Sequence, residues 1–254
     1  MLMPPPISII IPALNEESLI SGTLDALQRL DGNIETIVVD GGSRDRTREI
    51  VSEAARSMVN LRLVRAERGR GLQLNKGARA AQGEVLIFLH ADTLLPEDAV
   101  HLIEAALRDP AVVGGNFRMV FGGKGLPSKV FSLIDRVRRW FGEYYGDSVI
   151  WVRREVFEEL GGFIDAPIME DYDFCRKLER AGRTLCLESP VVSSPRRWSK
   201  GRALRAVFTW TLIHWLYLVG VNPRHLAWLY YPQSFSLRNK RGSKKQGEPE
   251  KFET

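Results

Sequence analysis

Residues 7–17 read I-S-I-I-I-P-A-L-N-E-E, and residues 34–47 read I-E-T-I-V-V-D-G-G-S-R-D-R-T. Each begins as a short β-branched run and breaks into polar, turn-forming residues. The run over 7–11 is continuously apolar apart from Ser8, which predicts a strand covered on both faces. The second run predicts a strand over 34–39. Asn15 is placed to cap a helix with Glu16 and Glu17 in its first turn, where carboxylates meet the positive end of the helix dipole. Leu19, Ile20, Leu24, Leu27 and Leu30 then recur at helical spacing. Ser43 or Asp45 is placed to cap a second helix with Ile50, Val51 and Ala54 on one face.

The alternation continues outward from these two stretches. Strands are predicted over 61–64 and 85–89, and helices over 73–81 and from Pro96 through Arg108. Repeated βα units predict an α/β fold, a mostly parallel central sheet with helices on both faces. Ligands in such sheets bind beyond the carboxyl ends of the strands. Past residue 110 the pattern predicts a strand over 112–121, a glycine break at 122–125 and an amphipathic helix over 126–141. Two more helices follow, 154–160 stopped by Gly161 and Gly162, and 171–181 stopped by Gly182, with a late strand over 184–187.

Composition narrows the function classes. The 254 residues are 44% hydrophobic and 26% charged, a globular balance. Net charge is +5, and the six Lys/Arg and three Glu of 238–254 account for +3 of it. The body is left nearly neutral, which argues against a nucleic-acid partner. Two cysteines form no metal spacing and suit a reducing cytoplasm. The N-terminus lacks a basic region and a long apolar run, so it reads as a strand and not a leader. Residues 206–221 are almost wholly apolar yet short for a membrane span, with His214 in their middle. They read either as a buried helix or as one lying on a membrane surface, with Trp210, Trp215 and Tyr217 as interfacial aromatics. The chain thus divides into a catalytic-type domain over 1–200, an apolar helical segment over 201–237 and a charged, disordered tail over 238–254.

Polar residues gather where strands end. Asp40 is placed to accept hydrogen bonds from a base or ribose, and Asp92 to hold a divalent metal, because hard cations take carboxylate oxygens and bridge phosphates. Between them R-G-R-G-L-Q-L-N-K-G, 68–77, offers Arg68, Arg70 and Lys76 in a flexible loop, and arginine suits a diphosphate. No phosphate-binding G-x-x-x-x-G-K-[ST] is present, and no G-x-G-x-x-G follows the first strand, which argues against a P-loop enzyme and a dinucleotide-binding dehydrogenase.

Taken in order, I-I-I-P-A-L-N-E-E, V-V-D-G-G-S-R-D-R-T, R-G-R-G…N-K-G, L-H-A-D-T (89–93) and M-E-D-Y-D-F-C-R-K-L (169–178) resemble the motifs of family 2 glycosyltransferases with the GT-A fold, over roughly residues 7–200. The resemblance implies a Rossmann-like nucleotide-diphospho-sugar transferase that inverts the anomeric centre and uses Mg²⁺ or Mn²⁺. It implies that Pro12, Ala13, Leu14 and Glu16 line the nucleotide pocket, that Asp40 meets the base, and that Arg70 lies near the nucleotide. Asp92 matches the last carboxylate of the D-x-D metal motif. Glu170 and Asp171 match the E-D motif, with Asp171 as general base. Arg196, Arg197 and Trp198 resemble the R-W end of a donor-site motif in processive relatives.

Two positions depart from the pattern. The metal motif reads His90-Ala91-Asp92, so His90 is either a ligand or a polar end to the strand. Gly41 stands where a second Asp often follows Asp40. The H-x-D form is most similar to a small bacterial subgroup of the family. The resemblance leaves the acceptor open; the basic-aromatic stretch near 136–141 and the apolar run after 206 suit a lipid-linked one at a membrane face. Two other classes stand beside this reading. A sugar-phosphate nucleotidyltransferase would carry a glycine-rich basic loop after the first strand, where P-A-L-N-E-E stands, and a non-catalytic scaffold would have kept the fold alone.

Overall fold

The computed structural model describes residues 7–121, 149–193 and 203–230. The expected helix over 126–141, the break at 122–125, Arg196, Arg197, Trp198 and the tail over 238–254 lie outside the described residues. The chain forms two compact units, 1–199 and 200–254.

The first unit is built on one eight-stranded sheet. Its strands are β1 (Ile7–Ala13), β2 (Ile34–Asp40), β3 (Leu61–Arg65), β4 (Val85–Phe88), β5 (Thr93–Leu94), β6 (Val112–Phe121), β7 (Ile150–Arg153) and β8 (Arg183–Ser193). Their order is β3-β2-β1-β4-β7-β6-β8-β5. The first four are mutually parallel. Strand β7 enters antiparallel between β4 and β6, and the short β5 pairs antiparallel with β8. The sequence pattern did not mark β5 or β7. The first is two residues long, and the second, I-W-V-R, is too short for periodicity to separate from a helix. Strand β8 runs well past the expected 184–187, carried along β6 through two register shifts.

Strand β1 shows why these residues make a central strand. Ile7, Ile9 and Ile11 point into one core, with Leu24, Val51 and Ile103. Ile10 points into the other, with Leu74, Phe88 and Phe174. Both faces are covered, so no polar alternation is required. Helices α1 (Ile20–Leu27), α2 (Thr47–Ala54) and α4 (Ala99–Ala106) supply the first core. Helices α3 (Arg70–Ala80), α5 (Arg154–Glu159) and α6 (Glu170–Ala181) supply the second. Four rings, Phe88, Phe157, Phe163 and Phe174, meet there with centroids 4.7–6.4 Å apart. They tie the end of β4 to α6.

Several expected boundaries move. Asn15 does not cap α1; that helix begins at Ile20, with Leu19 at its N-cap and no side-chain cap. Asn15 is left-handed at φ 56°, and its side-chain oxygen accepts from the Arg44 N–H instead. Neither Ser43 nor Asp45 is the N-cap of α2, which is Arg46. Even so, the Asp45 carboxylate accepts from the Thr47 N–H in the first turn. Helix α3 starts at Arg70, three residues before expectation, so Arg70 sits on a helix and not in a flexible loop. Helix α4 starts at Ala99, beyond Pro96.

The second unit contains α7 (Ala203–Leu218) and α8 (Pro223–Tyr230). Among the described residues no helix is long and apolar enough to cross a membrane. Within α7, Ile213 and His214 are buried, whereas Leu212, Trp215 and Leu218 are exposed; Val219, Trp228 and Leu229 are exposed beyond it.

Two consequences can be measured. A Cβ on Gly77 of α3 would lie 2.4 Å from Ile10 Cγ2 and 2.9 Å from Val39 Cγ2. Gly77→Ala is therefore expected to destabilise the fold by about 1–3 kcal/mol in urea unfolding, since overpacking outweighs the gain in helix propensity. Glu35 joins β2 to its neighbours. Burial would raise its pKa, but hydrogen bonds from Ser8 Oγ, the Gln82 N–H, Arg62 and the Gly83 N–H hold it below the usual value. Its stabilising effect is present above the unfolded-state pKa, about 4.3, and is lost as pH falls through the lower folded value. Glu35→Gln should flatten the loss of stability between neutral pH and the acid limb, read by denaturant midpoints at stepped pH.

Candidate active site

The carboxyl ends of β1, β2 and β4 lie side by side, and the motifs follow them. The loops after β1 and β2 are laced together. The Asn15 N–H donates to Ser43 Oγ (3.0 Å), the Glu16 N–H to Thr47 Oγ1 (2.8 Å) and the Glu17 N–H to Asp45 Oδ2 (3.1 Å). The return bonds run from the Arg44 N–H to Asn15 Oδ1 and from the Arg46 N–H to Glu17 Oε2. Asp40 is buried, and its carboxylate accepts from the Gly42 and Ser43 N–H groups at 3.1 and 3.0 Å. Its charge thus shapes its own turn. Asp45 is held below the usual carboxylate range: slight burial would raise it, but the Thr47 hydroxyl and the Thr47 and Glu17 N–H groups favour the anion.

Helix α3 organises the rest. Gln73 is buried, and its amide N–H groups donate to the Ala13 carbonyl (3.0 Å) and the Val39 carbonyl (2.7 Å), bridging the ends of β1 and β2. Gly41 leaves the room this needs, because a Cβ there would lie 2.8 Å from the Gln73 side chain. Asn75 clasps the segment before α6, donating to the Phe163 carbonyl (2.7 Å) and accepting from the Phe163 N–H (2.9 Å). Gly71 allows that segment to approach, since a Cβ would lie 2.5 Å from the Ile164 oxygen.

Arg70, in the first turn of α3, reaches the acidic pair. Its Nη1 lies 3.2 Å from Glu170 Oε1 and 3.3 Å from Asp171 Oδ2. Its Nη2 lies 3.0 Å from His90 Nε2. Glu170 and Asp171 are buried at the start of α6. Asp171 does not cap that helix; Met169 does, in a left-handed conformation at φ 68°, and Asp171 Oδ1 accepts from the Tyr172 N–H. Asp173 adds a third acidic residue to the first turn, a favourable arrangement with the dipole. One turn on, Cys175 is wholly buried; burial first, and the Asp171 and Glu179 carboxylates second, push its thiol pKa well up. A small crevice opens between Pro12, Arg70, Leu74, His90, Ile150 and Phe163. Asp92 is half-buried in the turn after β4, with its Oδ1 3.4 Å from Thr93 Oγ1.

The structure thus brings Pro12, Arg70, His90, Glu170 and Asp171 to one place, with Ala13 and Asp40 at the adjoining ends of β1 and β2 and Leu14 and Glu16 on the loop after β1. Gln73 and Asn75 were missed. In sequence they pass for ordinary helix residues; the available signal was two amides inside a glycine-flanked stretch. Among the described residues, no three or more His, Cys, Asp or Glu side chains gather to hold a metal.

Comparison with known proteins identifies the architecture. The family described as Glycosyl transferase family 2 matches residues 8–161. The chain belongs to this family. The chain is 28% identical over 201 residues to Probable glycosyltransferase YdaM of Bacillus subtilis (strain 168), covering 70% of this chain and 47% of that protein. The chain therefore spans about half the length of that relative. It is 28% identical to a PGL/p-HBAD biosynthesis glycosyltransferase of Mycobacterium bovis (strain BCG / Pasteur 1173P2), with 67% of this chain and 68% of that protein covered. The fold is GT-A. It superposes on a mannosyltransferase of Pyrobaculum calidifontis in complex with GDP-Man and Mn²⁺ with a TM-score of 0.63 at 22% identity, covering 96% of this chain and 76% of that one. It superposes on S. aureus TarS in complex with UDP-GlcNAc with a TM-score of 0.62 at 21% identity, covering 74% and 58%.

Replacing Gln73 by Leu keeps the side-chain volume but removes both donors. This variant should lose about 1–3 kcal/mol of unfolding free energy, the usual effect of removing buried hydrogen bonds, although the Ala13 carbonyl keeps the Gly41 N–H; an unchanged urea midpoint would count against the bridge.

Proposed function

We propose that this transferase moves a sugar from a nucleotide-diphosphate donor, with UDP as the expected nucleotide, to an acceptor hydroxyl by direct displacement with inversion. The observation that carries the reading is the meeting of Arg70, Glu170, Asp171 and His90 at the carboxyl edge of β4. Such a transfer needs an in-line sugar, a base for the acceptor proton and countercharge for the leaving diphosphate. Asp171 is the base. Arg70 keeps its guanidinium 3.3 Å from it, a fixed positive neighbour for the reacting carboxyl group. Pro12, Ala13, Leu14, Glu16 and Asp40, at the ends of β1 and β2 and on the loop after β1, form the nucleotide pocket. Arg196, Arg197 and Trp198 retain their proposed donor-site role from sequence alone.

A divalent metal fits the residues present. Asp92 offers a hard oxygen donor at a strand end, and Mg²⁺ or Mn²⁺ is commonly held by one or two carboxylates, donor phosphates and water. When bound, the ion would neutralise charge on the departing diphosphate. The Mn²⁺ in the Pyrobaculum structure supports this choice.

For the acceptor, we propose a lipid-linked molecule reached at a membrane face, with peripheral attachment through the second unit. Relatives include an undecaprenyl-phosphate 4-deoxy-4-formamido-L-arabinose transferase of Aeromonas hydrophila, 34% identical over 117 residues. The exposed Trp215, Leu218, Val219 and Trp228 give that unit an apolar surface.

Four measurements test these roles. Asp171→Asn should abolish transfer while donor binding by calorimetry stays within a few-fold; near-normal turnover would remove Asp171 as base. Release of UDP separates transfer from the nucleotidyltransferase reading, which would release pyrophosphate, and from a silent scaffold. Asp92→Ala should lose the Mn²⁺-dependent part of donor binding. Trp215→Glu, or high salt, should lower the fraction bound to anionic vesicles; a parent chain that never sediments with them would refute the membrane proposal.

A further inference from the structure

His90 stands in the first place of the metal motif, yet its ring nitrogen faces Arg70. We propose that His90 is a positioning residue for the acidic pair: it holds the Arg70 guanidinium against Glu170 and Asp171, and it does not serve the metal. The inference rests on the transfer reading above and assigns a role within the same site.

The argument is one of donors and acceptors. A guanidinium carries only N–H donors, so the His90 Nε2 that meets Arg70 Nη2 at 3.0 Å presents its lone pair there. A metal would need that same lone pair. The other ring nitrogen then carries the hydrogen of the neutral ring and has none to offer. As held, His90 is therefore engaged by the arginine. On the other side, Arg70 Nη1 lies within 3.3 Å of both carboxylates, so the two ends of one planar group touch the strand end and the acid helix. Fixing Nη2 fixes the plane, and the plane sets where Nη1 meets Asp171.

The residue type matters. An aspartate at this position would place a third carboxylate on the same guanidinium and compete with Asp171 for it. A neutral imidazole holds the arginine without that competition. The departure from D-x-D is thereby matched to Arg70, and Asp92 would be the residue to hold the ion, with phosphate and water as its co-ligands.

The test uses the full chain, with Mn²⁺ binding in the presence of UDP read by electron paramagnetic resonance, and UDP release from the donor sugar that the parent turns over. His90→Ala should leave the Mn²⁺ Kd within about twofold and the donor KM within about threefold, while kcat falls by about tenfold or more. His90→Gln, whose side-chain oxygen accepts from Arg70, should recover most of that kcat. His90→Asp, which restores the family's carboxylate, should be slower than the parent. In a cycle with Arg70→Ala, the double variant should be no slower than Arg70→Ala alone, as expected for residues acting in series. Weakening of Mn²⁺ binding by about tenfold in His90→Ala, a His90→Asp enzyme as fast as the parent, or losses that multiply in the double variant would each overturn the proposal. A parent that turns over no nucleotide sugar overturns the transfer reading itself, and is told apart because it fails before any variant is compared.

Discussion

The close seating of α3 on the sheet is the constraint on which the site depends. Gly77 lets the helix lie against Ile10 and Val39, and Gly71 lets the segment before α6 lie against the helix. With those two approaches fixed, the polar residues of one short helix reach three places. Gln73 bridges the ends of β1 and β2, Asn75 clasps Phe163, and Arg70 meets the acidic pair and His90. The stretch that looked like a basic, glycine-rich loop is a bracket. Its glycines set distances, and its amides and arginine set positions.

Backbone strain collects at the same edge. Among the described residues, the non-glycine residues with positive φ are Asn15, Val149 and Met169. Asn15 tolerates that conformation well, and its side chain reaches the neighbouring loop. Val149 and Met169 do not; a β-branched residue at φ 60° is a costly conformation. Val149 precedes Ile150, which pairs with Phe88 at the end of β4, and Met169 precedes Glu170. Both are fully packed, at 0% and 1% exposure, so the surrounding core holds them in place.

Much of this was legible in the residues. Strand β4 is an unbroken apolar run and β1 is nearly one, interrupted at Ser8, and burial on both faces is what produces such runs. The acidic residues at the strand ends marked the edge of the sheet at which Arg70, His90, Glu170 and Asp171 meet. What escaped depends on partners distant in sequence. Asn15 looks like a cap because Glu16 and Glu17 follow it, but its side chain bonds the backbone of Arg44, 29 residues away. The start of α3 was hidden because a Gly-Arg-Gly sequence disfavours a helix locally, and the contact of Arg70 with Asp171 spans 101 positions. Strand β7 is recognisable only once β4 and β6 are in place to pair with it.

The burial of Cys175 has a practical consequence. Its thiol lies beneath the acidic pair, excluded from solvent and discouraged from ionising, while Cys186 is exposed. Thiolates, not thiols, are alkylated. In the folded chain a thiol-reactive probe therefore stops at one site, and a second modification marks the moment α6 lifts from the sheet. The molecule carries its own chemical clock for the opening of the helix that bears the acids.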